Sequence, residues 1–217
     1  PYLIDESLDL NHLPIGAHGV IGDGYSAALV RVDGAIDWLC WPRFDSPSLF
    51  SAVLDPERGG HTAITPTRRP FESLQRYDPD TNVLETLFKV PDNGVARLTD
   101  FMPWTDDPRA SIHEVHRRIE CLEGEVEFSI VFDPRFDYAR VAPLVEIAEH
   151  GVVAESPSGE RVVAVVAERE PVAAELGGGR VQDAAAEARA ERAVLRRGRL
   201  GSDCAGGGAG GDCGGGA

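Results

Sequence analysis

The chain has 217 residues, of which 42% are hydrophobic and 26% charged, and its formal net charge is −15. This length fits one domain or slightly more than one. Nucleic acids and anionic membrane surfaces attract basic faces, so a chain this acidic is predicted to bind neither, and no apolar run reaches the roughly 18 residues of a membrane span.

The cysteines and the first residues bear on the compartment. Four cysteines are present without any C-x-x-C pair, so their spacing predicts neither a zinc site nor a disulfide framework. Cys40 and Cys121 lie in strand-like runs and are expected to be small buried residues. The opening PYLIDESLDL lacks the basic start and apolar core of a signal peptide. We therefore expect a cytoplasmic protein without a metal or cofactor.

A β-hairpin is the first clear element, after an extended arm formed by residues 1–18. Residues 27–32 and 35–40 are short apolar runs rich in strand-forming side chains, and Asp33-Gly34 lies between them. Asp-Gly accepts the positive φ angles of a two-residue type I′ turn, whose twist suits the flanking strands. The sequence therefore predicts a hairpin with its tip at Asp33-Gly34.

The hairpin turn also predicts which residues face each other. Leu29 is expected opposite Trp38, and Val30 opposite Asp37. Both faces of the hairpin are largely apolar, so Asp37 is a carboxylate in an apolar setting. Because buried polar groups are normally paired, we expect Asp37 to bond to backbone or to a nearby arginine.

The glycines before the hairpin match a dinucleotide-binding pattern, G-x-G-x-x-A, at residues 22–27. That pattern binds a pyrophosphate only where a strand ends and a helix begins. The six residues between it and Asp33-Gly34 are too few for such a helix and are strand-like. We therefore interpret the glycines as a tight turn into the hairpin.

Further short strands follow in sequence, separated by turn residues. Residues 82–90 are predicted to pair with 95–101, and residues 112–122 with 125–133 around Glu123-Gly124. The other predicted strands are residues 61–65, 73–77, 145–155 and 161–168. Short strands with regular turns and no convincing helix indicate an antiparallel β-sandwich over residues 15–168, which we expect to be incomplete on its C-terminal side.

Two separated motifs carry a family resemblance. The run IGDGYSAALVRVDGAIDWLCWPRFDSPSLF, residues 21–50, and the run DPRFDYAR, residues 133–140, resemble the start of bacterial glycoside hydrolase family 15 proteins, the trehalase-like and glucoamylase-like enzymes. The resemblance covers roughly residues 15–165. It implies the N-terminal β-sandwich domain of that family, in a chain that lacks the catalytic (α/α)-barrel.

The resemblance also implies that the catalytic residues lie elsewhere. The family is inverting and uses two glutamates of its barrel, and no stretch here matches either motif. We therefore expect an accessory domain of an α-glucoside hydrolase, trehalase-like or glucoamylase-like, that is inactive alone and has the barrel as partner. The alternative is a stand-alone carbohydrate-binding or structural β-sandwich, in which exposed Trp41 and Trp104 stack on α-glucosides.

The tetrapeptide Pro-Arg-Phe-Asp occurs twice, at residues 42–45 and 134–137. In one interpretation each tetrapeptide staples its own loop, with an Arg–Asp ion pair around a buried ring. In the other, both loops form a rim that faces the missing barrel or a sugar, because aromatic residues and arginine are favoured in interfaces. An uncovered rim also predicts self-association. The candidate interface or sugar-rim residues are Trp38, Trp41, Arg43, Phe44, Asp45, Arg135 and Phe136.

The segment His113-Glu114-Val115-His116 superficially suggests a metal site. On a strand, residues three apart point to opposite faces, so the two histidines are not expected to share an ion. A structural or surface role is favoured for both.

The last part of the chain has a different composition. Residues 171–217 are rich in glycine and alanine and contain no aromatic residue. Residues 181–195 allow a loose helix, and residues 201–217 are expected to be disordered. We therefore predict a domain over residues 1–170 and a low-complexity tail over 171–217, a composition that a frameshift in a GC-rich gene would also produce.

Overall fold

The structure is a computed structural model that describes residues 1–106, 113–148, 151–168, 185–186 and 190–199. In these ranges the chain is almost entirely β-strand. The strands in chain order are β1 (Tyr2–Ile4), β2 (His18–Gly22), β3 (Ala27–Arg31), β4 (Ala35–Cys40), β5 (Ser48–Phe50), β6 (His61–Pro66), β7 (Phe71–Tyr77), β8 (Leu84–Val90), β9 (Gly94–Phe101), β10 (Glu114–Gly124), β11 (Phe128–Asp133), β12 (Leu144–Ala148), β13 (Gly151–Glu155), β14 (Glu160–Glu168), β15 (Ala185–Ala186) and β16 (Ala190–Arg199).

Helical structure within the described ranges is limited to single turns. Two 3₁₀ turns, Leu10–His12 and Ile15–Ala17, lie in the N-terminal arm, and α1 (Phe136–Ala139) follows β11. None of these described helices has the length and apolar character needed to cross a membrane.

The strands form two antiparallel sheets, so the predicted fold class is confirmed. One sheet has the order β1-β7-β8-β9-β10-β16-β14-β13-β12, and the other has the order β15-β11-β6-β4-β3-β2, with β5 paired to β4. The predicted pairing of residues 82–90 with 95–101 is confirmed as β8 with β9. Since β3 begins at Ala27 with no helix after Gly24, the predicted turn from these glycines into the hairpin is also confirmed.

The hairpin of β3 and β4 is confirmed, but its turn is not the predicted type I′. The N–H of Gly34 donates to the carbonyl of Arg31 at 3.0 Å, and Gly34 alone of the pair has a positive φ, +88°. These features define a three-residue loop, Val32 to Gly34. Asp33 keeps an ordinary φ because its carboxylate accepts bonds from Arg31 and from the N–H of Ala35.

A bulge in β4 then restores the expected pairing further along the hairpin. Val30 pairs with Ile36, not with Asp37 as predicted, because the loop contains one more residue than a type I′ turn. Asp37 is the extra residue of the bulge, so the register shifts back and Leu29 faces Trp38 as predicted.

The predicted hairpin of residues 112–122 with 125–133 is wrong. Strand β10 pairs with β9, and β11 pairs with β6 in the other sheet. The chain leaves the first sheet at Gly124, whose φ of +65° turns the backbone away from the ladder. Each of the two strands forms a hydrogen-bonded ladder with another strand. These ladders stabilise the observed pairing more than the short connection favours a hairpin.

Strand β16 lies beyond the predicted domain boundary at residue 170. Residues 190–195, expected to be helical, are part of this strand, which pairs with β10 on one side and β14 on the other. A strand here supplies hydrogen bonds to two edges at once, which a helix would not do. The predicted disorder of residues 201–217 falls outside the described residues, and the domain boundary stays a prediction.

Buried side chains between the sheets form two clusters. One is built around Ile21, Trp41 and Phe50, and the other around Phe71, Phe88 and Phe128. In the second cluster the ring of Phe88 contacts both other rings edge-on, with centroids 5.7 and 5.8 Å apart. Such edge-to-face contacts add to the stabilisation from burial alone.

A buried arginine, ion-paired with an aspartate of its own sheet, connects the two sheets. The Nε of Arg117 on β10 donates to Asp100 on β9 at 2.8 Å, and its Nη2 donates to the carbonyl of Gly34, in the opposite sheet, at 2.6 Å. The side chains of Arg117 and Asp100 are 1% and 0% exposed. The hairpin tip is thus tied to the facing sheet by a charged group that water does not reach.

Candidate functional site

One end of the sandwich collects most of the sequence motifs; we call it the loop end. It comprises residues 23–26, 42–45, 104, 113 and 134–139. The register explains this clustering: Ala28 pairs with Leu39, and Asp133 pairs with His61. Main-chain bonds then join the loops, since Phe44 N–H donates to Tyr25 O at 2.9 Å and Arg135 N–H donates to Leu49 O at 2.8 Å.

The first Pro-Arg-Phe-Asp tetrapeptide lies on the surface. Arg43 Nε donates to Asp45 at 3.1 Å, and both side chains are well exposed. The ring of Phe44 is 63% exposed. The expected Arg–Asp pair therefore exists, but it does not enclose a buried ring.

The second tetrapeptide is arranged in the opposite way. Phe136 is 4% exposed and belongs to the cluster around Trp41. Arg135 pairs with Asp133 at 2.9 Å, outside the tetrapeptide. The three residues after Phe136 all have positive φ, between 49° and 61°. This left-handed turn reverses the chain directly after the buried ring and leaves Tyr138 exposed.

The two tryptophans of the hairpin differ in exposure. Trp41 is 1% exposed, so the prediction that it is an exposed sugar-stacking residue is wrong. It follows β4 directly and packs into the cluster with Phe50 and Phe136. Trp38 is partly buried. Of the predicted rim residues, Arg43, Phe44 and Asp45 are the fully surface-exposed ones.

A corner of the loop end brings together groups from three segments. Asp23 is buried, and its Oδ1 accepts the N–H groups of Tyr25 and Ser26 at 2.9 and 2.8 Å. Its Oδ2 has no hydrogen-bond partner and lies 3.8 Å from Nδ1 of His113. Trp104, 70% exposed, lies against Gly24. Sequence analysis did not single out Asp23, although it lies inside the I-G-D-G motif.

The two histidines of the suspected metal segment have different partners. His113 faces Asp23, whereas Nε2 of His116 lies 2.7 Å from Glu114 Oε2, and its ring stacks on Phe101 with centroids 4.9 Å apart. Within the described ranges, no group of three or more His, Cys, Asp or Glu side chains is placed to hold a metal ion.

The buried carboxylate of Asp37 has a histidine as its partner, not the backbone or arginine that was predicted. Nε2 of His18 lies 3.0 Å from Asp37 Oδ2, and Nδ1 lies 3.2 Å from Pro14 O. Burial by itself lowers the pKa of His18, but the hydrogen bond and the charge of Asp37 outweigh it, so the net pKa is raised above 6.5. No local pattern signals this pair, because the two residues are distant in sequence.

A second histidine of this region is shifted in the opposite direction. Burial, followed by the positive charge of Arg31, lowers the pKa of His61 below 6.5, and the nearby carboxylates of Asp133, Asp33 and Asp37 only partly compensate. Folding therefore favours the neutral form of His61 and the charged form of His18.

These shifts predict opposite dependences of stability on pH. The contribution of His18 is complete below pH 6.5 and is lost as the pH rises through its raised pKa, whereas that of His61 is complete above 6.5 and is lost as the pH falls. We expect His18→Gln to flatten the decline of unfolding free energy above this pH, and His61→Gln to flatten the decline below it. Urea unfolding across a pH series measures both, and a His18→Gln profile parallel to wild type would contradict the assignment.

Comparison with known proteins shows the family to which the chain belongs. The family described as "Trehalase-like, N-terminal" matches residues 9–194, most of the chain. The chain belongs to this trehalase-like N-terminal domain family. The match extends past residue 165, where the resemblance was expected to end, and includes part of β16.

Several trehalases are similar to this trehalase-like domain. The trehalase of Thermoplasma volcanium is 39% identical over 137 residues, which are 63% of this chain and 22% of the relative. That of Thermoplasma acidophilum is 40% identical over 126 residues, 58% of this chain and 22% of the relative. The trehalase of Mycobacterium tuberculosis is 31% identical over 143 residues, which are 59% of this chain and 21% of the relative. The chain thus spans about a fifth of the length of these relatives, and no solved structure matches it.

Proposed function

We propose that this chain is the accessory N-terminal domain of a trehalase-like α-glucoside hydrolase of glycoside hydrolase family 15. The observation that carries the proposal is the family match over residues 9–194, together with trehalases that align with the chain over only about a fifth of their own length. The two acids that glycoside hydrolysis needs are assigned to the catalytic (α/α)-barrel, so the chain alone is expected to be inactive.

The part of the loop end formed by residues 42–45 and 134–139 is the surface that we assign to contact with that barrel. Phe44 supports this, because a largely exposed ring beside an exposed Arg43–Asp45 pair has the composition of an interface. Trp41 and Phe136 lie underneath and hold the two loops in place. Trp38 and Arg135 are partly exposed, and we assign both to the margin of this surface. An exposed ring also favours self-association of the isolated chain.

A chimaeric enzyme tests the proposal. The aligned N-terminal segment of the Thermoplasma volcanium trehalase is replaced by this chain, and hydrolysis of trehalose is compared with that of the relative lacking the segment. We expect the chimaera to recover activity that the truncated relative has lost, because the barrel regains its neighbour.

Two variants of the chimaera serve as controls. Phe44→Ser should weaken the recovery by removing the exposed ring, whereas Leu54→Ser, at a 74% exposed apolar residue outside the loop end, should leave it unchanged. Full activity of the truncated relative, or a folded chimaera without activity, would contradict the proposal.

Two finer points belong to the same proposal. The cytoplasm is the proposed compartment. Cys40 is buried as expected, whereas Cys121 is exposed; both are free, which is compatible with reducing conditions. A carbohydrate-binding domain is the second candidate function, and the 70% exposed indole of Trp104 is the observation that favours it.

A further inference from the structure

We propose that a neutral sugar ring binds to a cluster that we call the corner site, formed by Asp23, Gly24, Trp104 and His113. The inference rests on the second candidate function, a carbohydrate-binding domain, and deepens it by naming the residues of the site and the class of ligand. A sugar ring has apolar C–H faces and hydroxyl groups at its edge. The corner site offers a partner for each: an exposed aromatic surface and a buried hydrogen-bond acceptor.

The aromatic surface is that of Trp104. Its side chain is 70% exposed, although it is large and apolar. A β-carbon at position 24 would lie 3.5 Å from Nε1 and 3.6 Å from Cδ1 of this indole. The indole edge therefore lies directly against the backbone of the 23–26 loop, and Gly24, with a φ of +84°, provides both the turn and the room. Such a ring offers a fixed apolar platform together with one N–H donor.

The acceptor is Oδ2 of Asp23. The residue is only 2% exposed, and the two backbone bonds at Oδ1 fix the orientation of its carboxylate. Oδ2 itself has no hydrogen-bond partner, and the imidazole of His113 lies 3.8 Å away, beyond hydrogen-bond distance. Folded proteins leave few buried oxygens unpaired. A hydroxyl group of a ligand would complete this one.

The surroundings of the acceptor have two further features of a binding site. His113 has a φ of +33°, a left-handed conformation that costs free energy in a non-glycine residue and that clusters at ligand sites. Phe44 is attached to the same loop through the bond from its N–H to Tyr25 O. The loop that carries Asp23 is therefore bonded to the main chain of one exposed aromatic residue, Phe44, and lies against the ring of another, Trp104.

Charge and geometry select the class of ligand. A carboxylate in a chain with a net charge of −15 disfavours anions. A metal ion would need more ligands than Asp23 and His113, and the described residues contain no group of three that fits. A neutral polyhydroxylated ring satisfies the oxygen without adding charge and covers the indole.

The test is a titration of the full chain followed by the indole N–H signals in ¹H–¹⁵N NMR spectra, with Trp104→Phe assigning the signal of Trp104. Trehalose and maltose should shift this signal, whereas mannitol, an open-chain polyol without a ring, should not. Asp23→Asn keeps an oxygen for the two backbone bonds but presents an amide at the other position. We expect it to weaken sugar binding about tenfold.

Asp55→Asn is the matched control. Oδ1 of Asp55 also accepts from the N–H groups two and three residues further on, at 3.2 and 3.1 Å, so this variant makes the same chemical change in a turn that contains no residue of the corner site. Unchanged sugar binding in Asp55→Asn together with weaker binding in Asp23→Asn supports the site.

Three results would overturn the proposal: no shift of the Trp104 signal at high sugar concentration, an equal shift with mannitol, or a folded Asp23→Asn variant that binds as wild type. None of them affects the chimaera test, because no catalytic domain is present in the titration. A negative titration with an active chimaera would mean that Trp104 is covered by protein rather than by sugar.

Discussion

Replacing Arg117 by methionine should lower the free energy of unfolding by about 3 to 5 kcal/mol, the loss typical when one partner of a buried ion pair is removed. The change leaves the carboxylate of Asp100 uncompensated in a fully buried position. It also removes the donor to the carbonyl of Gly34, and with it a bond between the sheets. Urea unfolding followed by far-UV circular dichroism measures the loss.

Two companion variants separate the charge effect from packing. Arg97→Met removes a partly exposed arginine that pairs with Glu120 at 2.7 Å, and this should cost no more than about 1 kcal/mol. The double variant Arg117→Met with Asp100→Leu should recover much of the lost stability, because no unpaired charge remains. A single Arg117→Met variant as stable as wild type would show that Arg117 does not hold the sheets together.

The two Pro-Arg-Phe-Asp tetrapeptides should respond very differently to the same substitution. Phe136→Ala empties a position in the core beside Trp41 and Phe50, so we expect a loss of about 3 to 5 kcal/mol. Phe44→Ala changes a surface position, and its effect should stay within about 0.5 kcal/mol. Thermal and urea unfolding of both variants make the comparison within one sequence motif.

Self-association should be affected in the reverse order, more by Phe44→Ala than by Phe136→Ala. Phe44→Ala, by removing the exposed ring, should reduce any concentration-dependent association in sedimentation velocity. Trp41→Ser, at another of the predicted rim residues, should instead unfold the domain, because Trp41 is 1% exposed. Equal stability losses for Phe44→Ala and Phe136→Ala would contradict the two environments described above.

The fold class and most strands could be predicted because turn residues and alternating apolar positions act locally. In the hairpin of β3 and β4, the pairing of Leu29 with Trp38 was predicted correctly, although the turn type and the partner of Val30 were predicted wrongly. The longer loop takes one residue, Val32, from the end of β3, and the bulge at Asp37 takes one residue from β4, so the two register shifts cancel at Trp38. The sequence pattern therefore predicts the register at Trp38 but neither the loop length nor the bulge.

Other features depend on contacts that sequence proximity does not reveal. The pairing of residues 112–122 with 125–133 was expected from a short connection. Instead, β10 pairs with β9 and β11 pairs with β6. His18 and Asp37 meet only because β2 and β4 flank β3. Identical tetrapeptides end in opposite environments because neighbouring strands, and not the four letters themselves, decide which phenylalanine is buried.

The central position of β16 has a consequence for biosynthesis. Ribosomes release the N-terminal strands first, yet β16 is hydrogen-bonded between β10 and β14, which are made before it. A nascent chain therefore carries two open sheet edges until this strand has emerged, and open edges recruit other chains. The interval between the synthesis of β10 and that of β16 is when the growing polypeptide most needs a chaperone.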